Sequence, residues 1–98
     1  MSKVKRIEIG KRLKKAREHC GLSQEELSLI VREYSAEEIL EFEEGKRELD
    51  VDAFASLCFA LKTDMEWMLN GVSSKERYGV ESDYASYYGN DVPDPIKH

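Results

Sequence analysis

Five glutamates, Glu37, Glu38, Glu41, Glu43 and Glu44, fall within eight residues and form the densest set of carboxylates in the chain. Carboxylates at this density can bind a metal, divide general acid and base work, or accept hydrogen bonds from a partner's donors. The first two roles need company that the sequence does not supply. The two histidines, His19 and His98, show no metal-ligand spacing, and Cys20 and Cys58 stand far apart with no Cys-x-x-Cys partner. No Ser/His/Asp or Cys/His set is assembled and no glycine-rich phosphate loop occurs, so neither a cofactor nor an enzymatic activity is expected. Recognition chemistry remains: acceptor oxygens on one element, with the cations Lys46 and Arg47 directly after it.

Two short helices must position these groups. Ser23 is followed three residues on by Glu26, and Ser35 by Glu38, two capping boxes in which side chain and backbone satisfy each other at a helix start. Leu27, Ile30 and Val31 suit a buried stripe on the first helix; Ile39 and Phe42, with Leu40 beside them, suit one on the second, which Gly45 closes. The stretch from Ser23 to Arg47 thus reads as a helix-turn-helix. Its turn, Arg32-Glu33-Tyr34-Ser35, contains no glycine, so a residue with a Cβ must carry any positive φ there, and Tyr34 is expected to pack its ring under the turn.

Around this unit the pattern is helical throughout. Ile9, Leu13 and Ala16 give one apolar face, with the lysines and arginines around it, to a first helix from about Lys5 to Cys20, closed by Gly21, with Leu22 turned back over the core and His19 at the helix end. Asp50 caps a fourth helix reaching Leu61, with Val51, Phe54, Leu57, Cys58 and Leu61 on one face. Thr63 or Asp64 caps a fifth, Met65 to Asn70, stopped by Gly71; its Trp67 either plugs the core or begins a dimer surface. From there turn and breaker residues interleave with Tyr78, Tyr84, Tyr87 and Tyr88, which divides the chain into a helical domain over 1–72 and a polar, Tyr-rich tail over 73–98, flexible when alone.

At 98 residues the chain suits one small domain. No apolar run approaches a membrane span and no signal peptide is evident, so a cytoplasmic protein with no membrane partner is expected. The two cysteines are read as small apolar residues. The net charge of −5 hides a segregation: eight cations against Glu8 give the first 17 residues +7, while Arg32 against eight glutamates gives Ser23 to Glu44 −7.

The motifs I-G-K-R-L-K-K-A-R-E from Ile9, G-L-S-Q-E-E-L from Gly21, I-L-E-F-E-E-G-K-R from Ile39 and D-M-E-W-M-L-N-G ending at Gly71 occur in an order that resembles the phage-repressor-like helix-turn-helix family of lambda repressor and Cro. The resemblance implies an all-α, five-helix domain, usually dimeric, that binds double-stranded operator DNA as a transcriptional regulator. It implies a structural pair between Arg17 and Glu43, phosphate contacts from Ser23 and Gln24, and a backbone grip from Lys46 and Arg47. The outward face of the second helix of the motif would then read bases with Ala36, Glu37, Leu40 and Glu41, where the family usually carries Gln, Arg, Ser, Thr or Asn. A glutamate can accept from cytosine N4 and an alanine can touch a thymine methyl, yet carboxylates repel phosphate. Arg32 is the nearest cation able to compensate. The acidic face with Leu40 in its middle equally suits a basic protein partner, such as another regulator, and a motif that has lost DNA contact.

Overall fold

The computed structural model describes residues 2–72 together with Tyr78 and Gly79. They form five helices: α1 (Lys3–His19), α2 (Gln24–Val31), α3 (Ala36–Glu43), α4 (Val51–Leu61) and α5 (Met65–Asn70). The first helix starts two residues earlier than expected, because the Ser2 hydroxyl accepts from the Lys5 N–H at 3.1 Å and caps it. It ends through Gly21 at φ 73°, where the Gly21 N–H donates to Glu18 O and the Leu22 N–H to Arg17 O, pairing carbonyls that the helix end leaves open. Arg32, in the glycine-free turn, carries the positive φ (62°). Tyr34 packs edge-on against Phe42 at 5.4 Å between centroids. Asp64, rather than Thr63, caps α5, and Gly71 takes the left-handed conformation after it.

The core is drawn from all five helices and includes Ile9, Leu13, Ala16, Leu27, Val31, Ile39, Phe42, Leu57, Leu61 and Trp67. Trp67 is wholly buried, so it plugs the core and offers nothing to a dimer surface. Four expectations about burial are corrected. Ile30 and Val51 are exposed, because α2 and α4 each present only part of their apolar residues to the core. Cys20 is exposed as well, its thiol beside Leu61 O at 3.6 Å, while Cys58 is buried and its thiol is pushed up to about 12 by burial. Arg12, expected among the surface cations of α1, lies buried and donates through Nη1 to the carbonyls of Met68 and Leu69 at 3.2 and 3.3 Å, closing the end of α5.

Close packing of α1 on α3 depends on a glycine inside a helix. A Cβ on Gly10 would lie 2.5 Å from both Phe42 O and Glu43 O, so no larger residue lets the two helices approach this closely. Among the described residues, no helix is long and apolar enough to cross a membrane. The tyrosine-rich tail falls outside the described residues except for Tyr78, whose hydroxyl lies 3.4 Å from Glu66 Oε1.

Candidate nucleic-acid interface

The helix-turn-helix is held to the rest of the domain by a buried polar clasp. Arg17 Nε donates to Glu43 Oε2 at 2.6 Å, and its Nη2 donates to Glu43 Oε1 at 3.1 Å, a two-pronged contact that fits the planar guanidinium. Arg17 Nη1 donates to Leu22 O at 2.7 Å. Gln24 Nε2 donates to the same Glu43 Oε1 at 2.9 Å. One carboxylate therefore gathers α1, the first residue of α2 and the last residue of α3. The hydrogen bonding of the Arg17 guanidinium to the Glu43 carboxylate, working against desolvation, raises Arg17 above its ordinary value.

The start of α2 follows from this clasp. Ser23 N–H donates to Glu26 Oε1 at 2.8 Å, and Glu26 N–H donates to Ser23 Oγ at 3.0 Å, so the capping box is complete. Ser23 is exposed and Gln24 half-buried, its amide oriented by Glu43. The link from Gln24 to Glu43 was not read from the sequence: nineteen residues separate the two, and no local pattern joins them.

The start of α3 carries the second complete capping box, with Ser35 N–H donating to Glu38 Oε1 at 3.0 Å and Glu38 N–H to Ser35 Oγ at 3.1 Å. Ile39 and Phe42 turn inward. Glu37, Leu40, Glu41 and Glu44 turn outward on one face, with Ala36 half-buried at its leading end. Arg32 is exposed at the head of the turn and pairs with no carboxylate among the described residues.

After α3, Gly45 reverses the chain at φ 73° in a space that a Cβ would not share with Ile7, whose Cα would lie 2.9 Å away. Arg6 Nε donates to Gly45 O at 3.2 Å. The reversal swings the loop cations back onto α3. Arg47 Nη1 lies 2.7 Å from Glu38 Oε2, Arg47 Nε lies 3.4 Å from Glu41 Oε1, and the guanidinium carbon sits 5.8 Å from the centre of the Phe42 ring. Lys46 Nζ lies 3.1 Å from Glu44 Oε1. The structure thus brings Ala36, Glu37, Leu40, Glu41, Lys46 and Arg47 onto or beside one helix, with both loop cations held by its carboxylates. The Ser35 N–H first, against desolvation, then the Ser35 side chain and the Arg47 charge hold Glu38 below its ordinary carboxyl value.

A family model described as a helix-turn-helix domain matches residues 10–74. No curated protein matches the chain. Among solved structures, the chain is similar to the DNA-binding domain of BldD, with TM-score 0.65 and 23% identity over 70% of this chain and 99% of that one. It is also similar to the clp gene regulator ClgR from C. glutamicum, with TM-score 0.61 and 30% identity over 65% of this chain and 82% of that one. A third is the P22 c2 repressor protein in complex with a synthetic operator, with TM-score 0.60 and 24% identity over 64% of this chain and 94% of that one. The match to the family model over most of the sequence, with the fold shared with these solved structures, establishes that the chain belongs to the phage-repressor-like helix-turn-helix family.

Proposed function

We propose that this protein is a sequence-specific DNA-binding transcriptional regulator of the repressor kind, acting as a homodimer in the cytoplasm and performing no catalytic step. The observation that carries the reading is the bare face of α3. Glu37, Leu40, Glu41 and Glu44 point outward while Ile39 and Phe42 anchor the helix below them. In this arrangement α3 enters the major groove, Ser23 and Gln24 approach a phosphate at the α2 start, and Lys46 and Arg47 flank the helix beside the backbone. Ala36 would meet a thymine methyl, Glu37 and Glu41 would accept from cytosine N4, and Arg32 would reach phosphate. A dimer would set two such helices about 34 Å apart in successive major grooves and block or recruit polymerase. Similarity to a repressor solved on a synthetic operator supports the reading. Titration of the protein against genomic fragments at low and moderate salt tests it: a preferred site is expected, and no preference over bulk DNA would refute it.

One observation favours a second reading, a helix-turn-helix that binds a basic protein partner such as another regulator. Arg47 and Lys46, the cations that would meet phosphate, are engaged by Glu38, Glu41 and Glu44. Charge reversal separates the two. Glu37→Lys with Glu41→Lys strengthens or redirects duplex binding in the first case and abolishes capture of the partner in the second.

A further inference from the structure

The contacts around the loop after α3 point to a role for its glutamates that capping and base reading do not cover, and this inference rests on the DNA-binding reading. Arg47 reaches back nine residues to Glu38 and also meets Glu41, while Lys46 meets Glu44. With Glu43 committed to Arg17, Glu37 is the one α3 carboxylate without a cation among the described residues. A guanidinium between two carboxylates, over an aromatic ring, already has the oxygen acceptors that a phosphodiester would supply.

We infer that the carboxylates of Glu38, Glu41 and Glu44 act as a built-in substitute for DNA phosphate, holding Lys46 and Arg47 so that the helix selects among duplexes more than it binds them. Non-specific DNA offers phosphate charge everywhere, but no amino donors placed opposite Glu37 and Glu41. To take up the two cations it must exchange one anionic partner for another, with Glu37, Glu41 and Glu44 left facing the backbone as bare like charges. Counterion release drives non-specific affinity in proportion to the cations delivered, so cations already neutralised deliver less. A duplex whose sequence sets amino groups opposite Glu37 and Glu41 gives them donors to accept from, and it alone compensates the exchange. The penalty therefore falls unequally on the two kinds of DNA, which is how repulsive groups create specificity.

The inference is tested with two probes: a random-sequence duplex pool, and a duplex selected from that pool by the protein itself. Their affinities are measured by fluorescence anisotropy between 50 and 300 mM salt, a window of about one to several tenfold steps in affinity for a binder of this kind. Glu41→Gln with Glu44→Gln removes two exposed charges and leaves both capping boxes in place, and circular dichroism verifies the fold. This variant is expected to bind the random pool about tenfold more tightly. Its salt slope should steepen by about one, for Lys46, which loses Glu44, while Arg47 keeps Glu38; the selected duplex gains less, so the preference shrinks. Arg47→Ala should weaken binding to both probes. If wild type prefers its selected duplex but the double variant leaves random-pool affinity and slope unchanged, or strengthens both probes equally, the inference fails and the DNA-binding reading stands. If neither wild type nor the double variant binds any duplex, both fail.

Discussion

Two arginines are held by glutamates around α3, one inside the domain and one at its surface, with opposite consequences. Arg17 and Glu43 meet in the interior, with side chains 9% and 2% exposed, while Arg47 and Glu38 meet at the surface, at 44% and 34%. In the interior each charge depends on the other, since removing one partner leaves the second stranded away from water. At the surface water replaces a lost partner, and the contact matters little to stability. The contrast separates the two tasks of α3. Its last residue holds the helix in place, and its exposed carboxylates remain free to exchange their cations with a ligand. A recognition element needs both, because a contact that must be exchanged cannot also carry the fold.

The largest test of this contrast is Glu43→Ala, which leaves Arg17 buried without its carboxylate and Gln24 without its acceptor. Urea unfolding should show a loss of about 3–5 kcal/mol, enough to consume much of a small domain's stability. A loss under about 1 kcal/mol would place the clasp in the same class as the surface pair. Next is Gly10→Ala, whose methyl would press on the carbonyls of Phe42 and Glu43 and push α1 away from α3, at a cost of about 1–3 kcal/mol. Its melting temperature should fall by several degrees, by about 4–8 °C for each kcal/mol in a domain of this size. Full stability in that variant would show that the clasp tolerates a wider helix spacing than the structure has.

Arg47→Ala should cost only about 0–1 kcal/mol, and that small difference should vanish in 1 M salt while the Glu43→Ala deficit persists. The smallest effect concerns acid. Glu38 is held below its ordinary carboxyl value of 4.5, first by the Ser35 N–H and then, more weakly, by the Ser35 side chain and Arg47. A carboxyl lowered in the folded state stabilises the fold above its unfolded value and loses that contribution as pH falls through its folded value. Wild type should therefore exceed Glu38→Gln in melting temperature by a constant margin between pH 7 and about 5.5, and the margin should close below pH 4.5. A margin that grows on acidification would contradict the assignment.

Much of this architecture is legible along the chain because helix ends are written locally. Ser23 with Glu26, Ser35 with Glu38, Asp50, and the glycines at 21, 45 and 71 act within four residues of where they stand, and the structure ends or begins its helices at each. The motifs that carry the family resemblance are local in the same sense. Burial was less legible. Ile30 and Val51 are apolar and correctly spaced, yet they are exposed, because period alone does not say how wide a stripe the neighbouring helices cover. A glycine at position 10, inside an otherwise helical run, was a signal for close backbone approach that the apolar pattern around it obscured.

The five glutamates of α3 and its C-cap show where each kind of information stops. The sequence by itself determined their number, their helix, the capping role of Glu38 and, through the family motifs, the pairing of Glu43 with Arg17. Only the tertiary structure decided that Gln24 joins that pair, that Arg12 closes α5, and that Lys46 and Arg47 turn back onto Glu44, Glu41 and Glu38. The physical reason is range. Caps act through backbone geometry over three or four residues, whereas the partner of a charged side chain is whichever opposite charge the chain reversal at Gly45 and the close contact at Gly10 bring within reach.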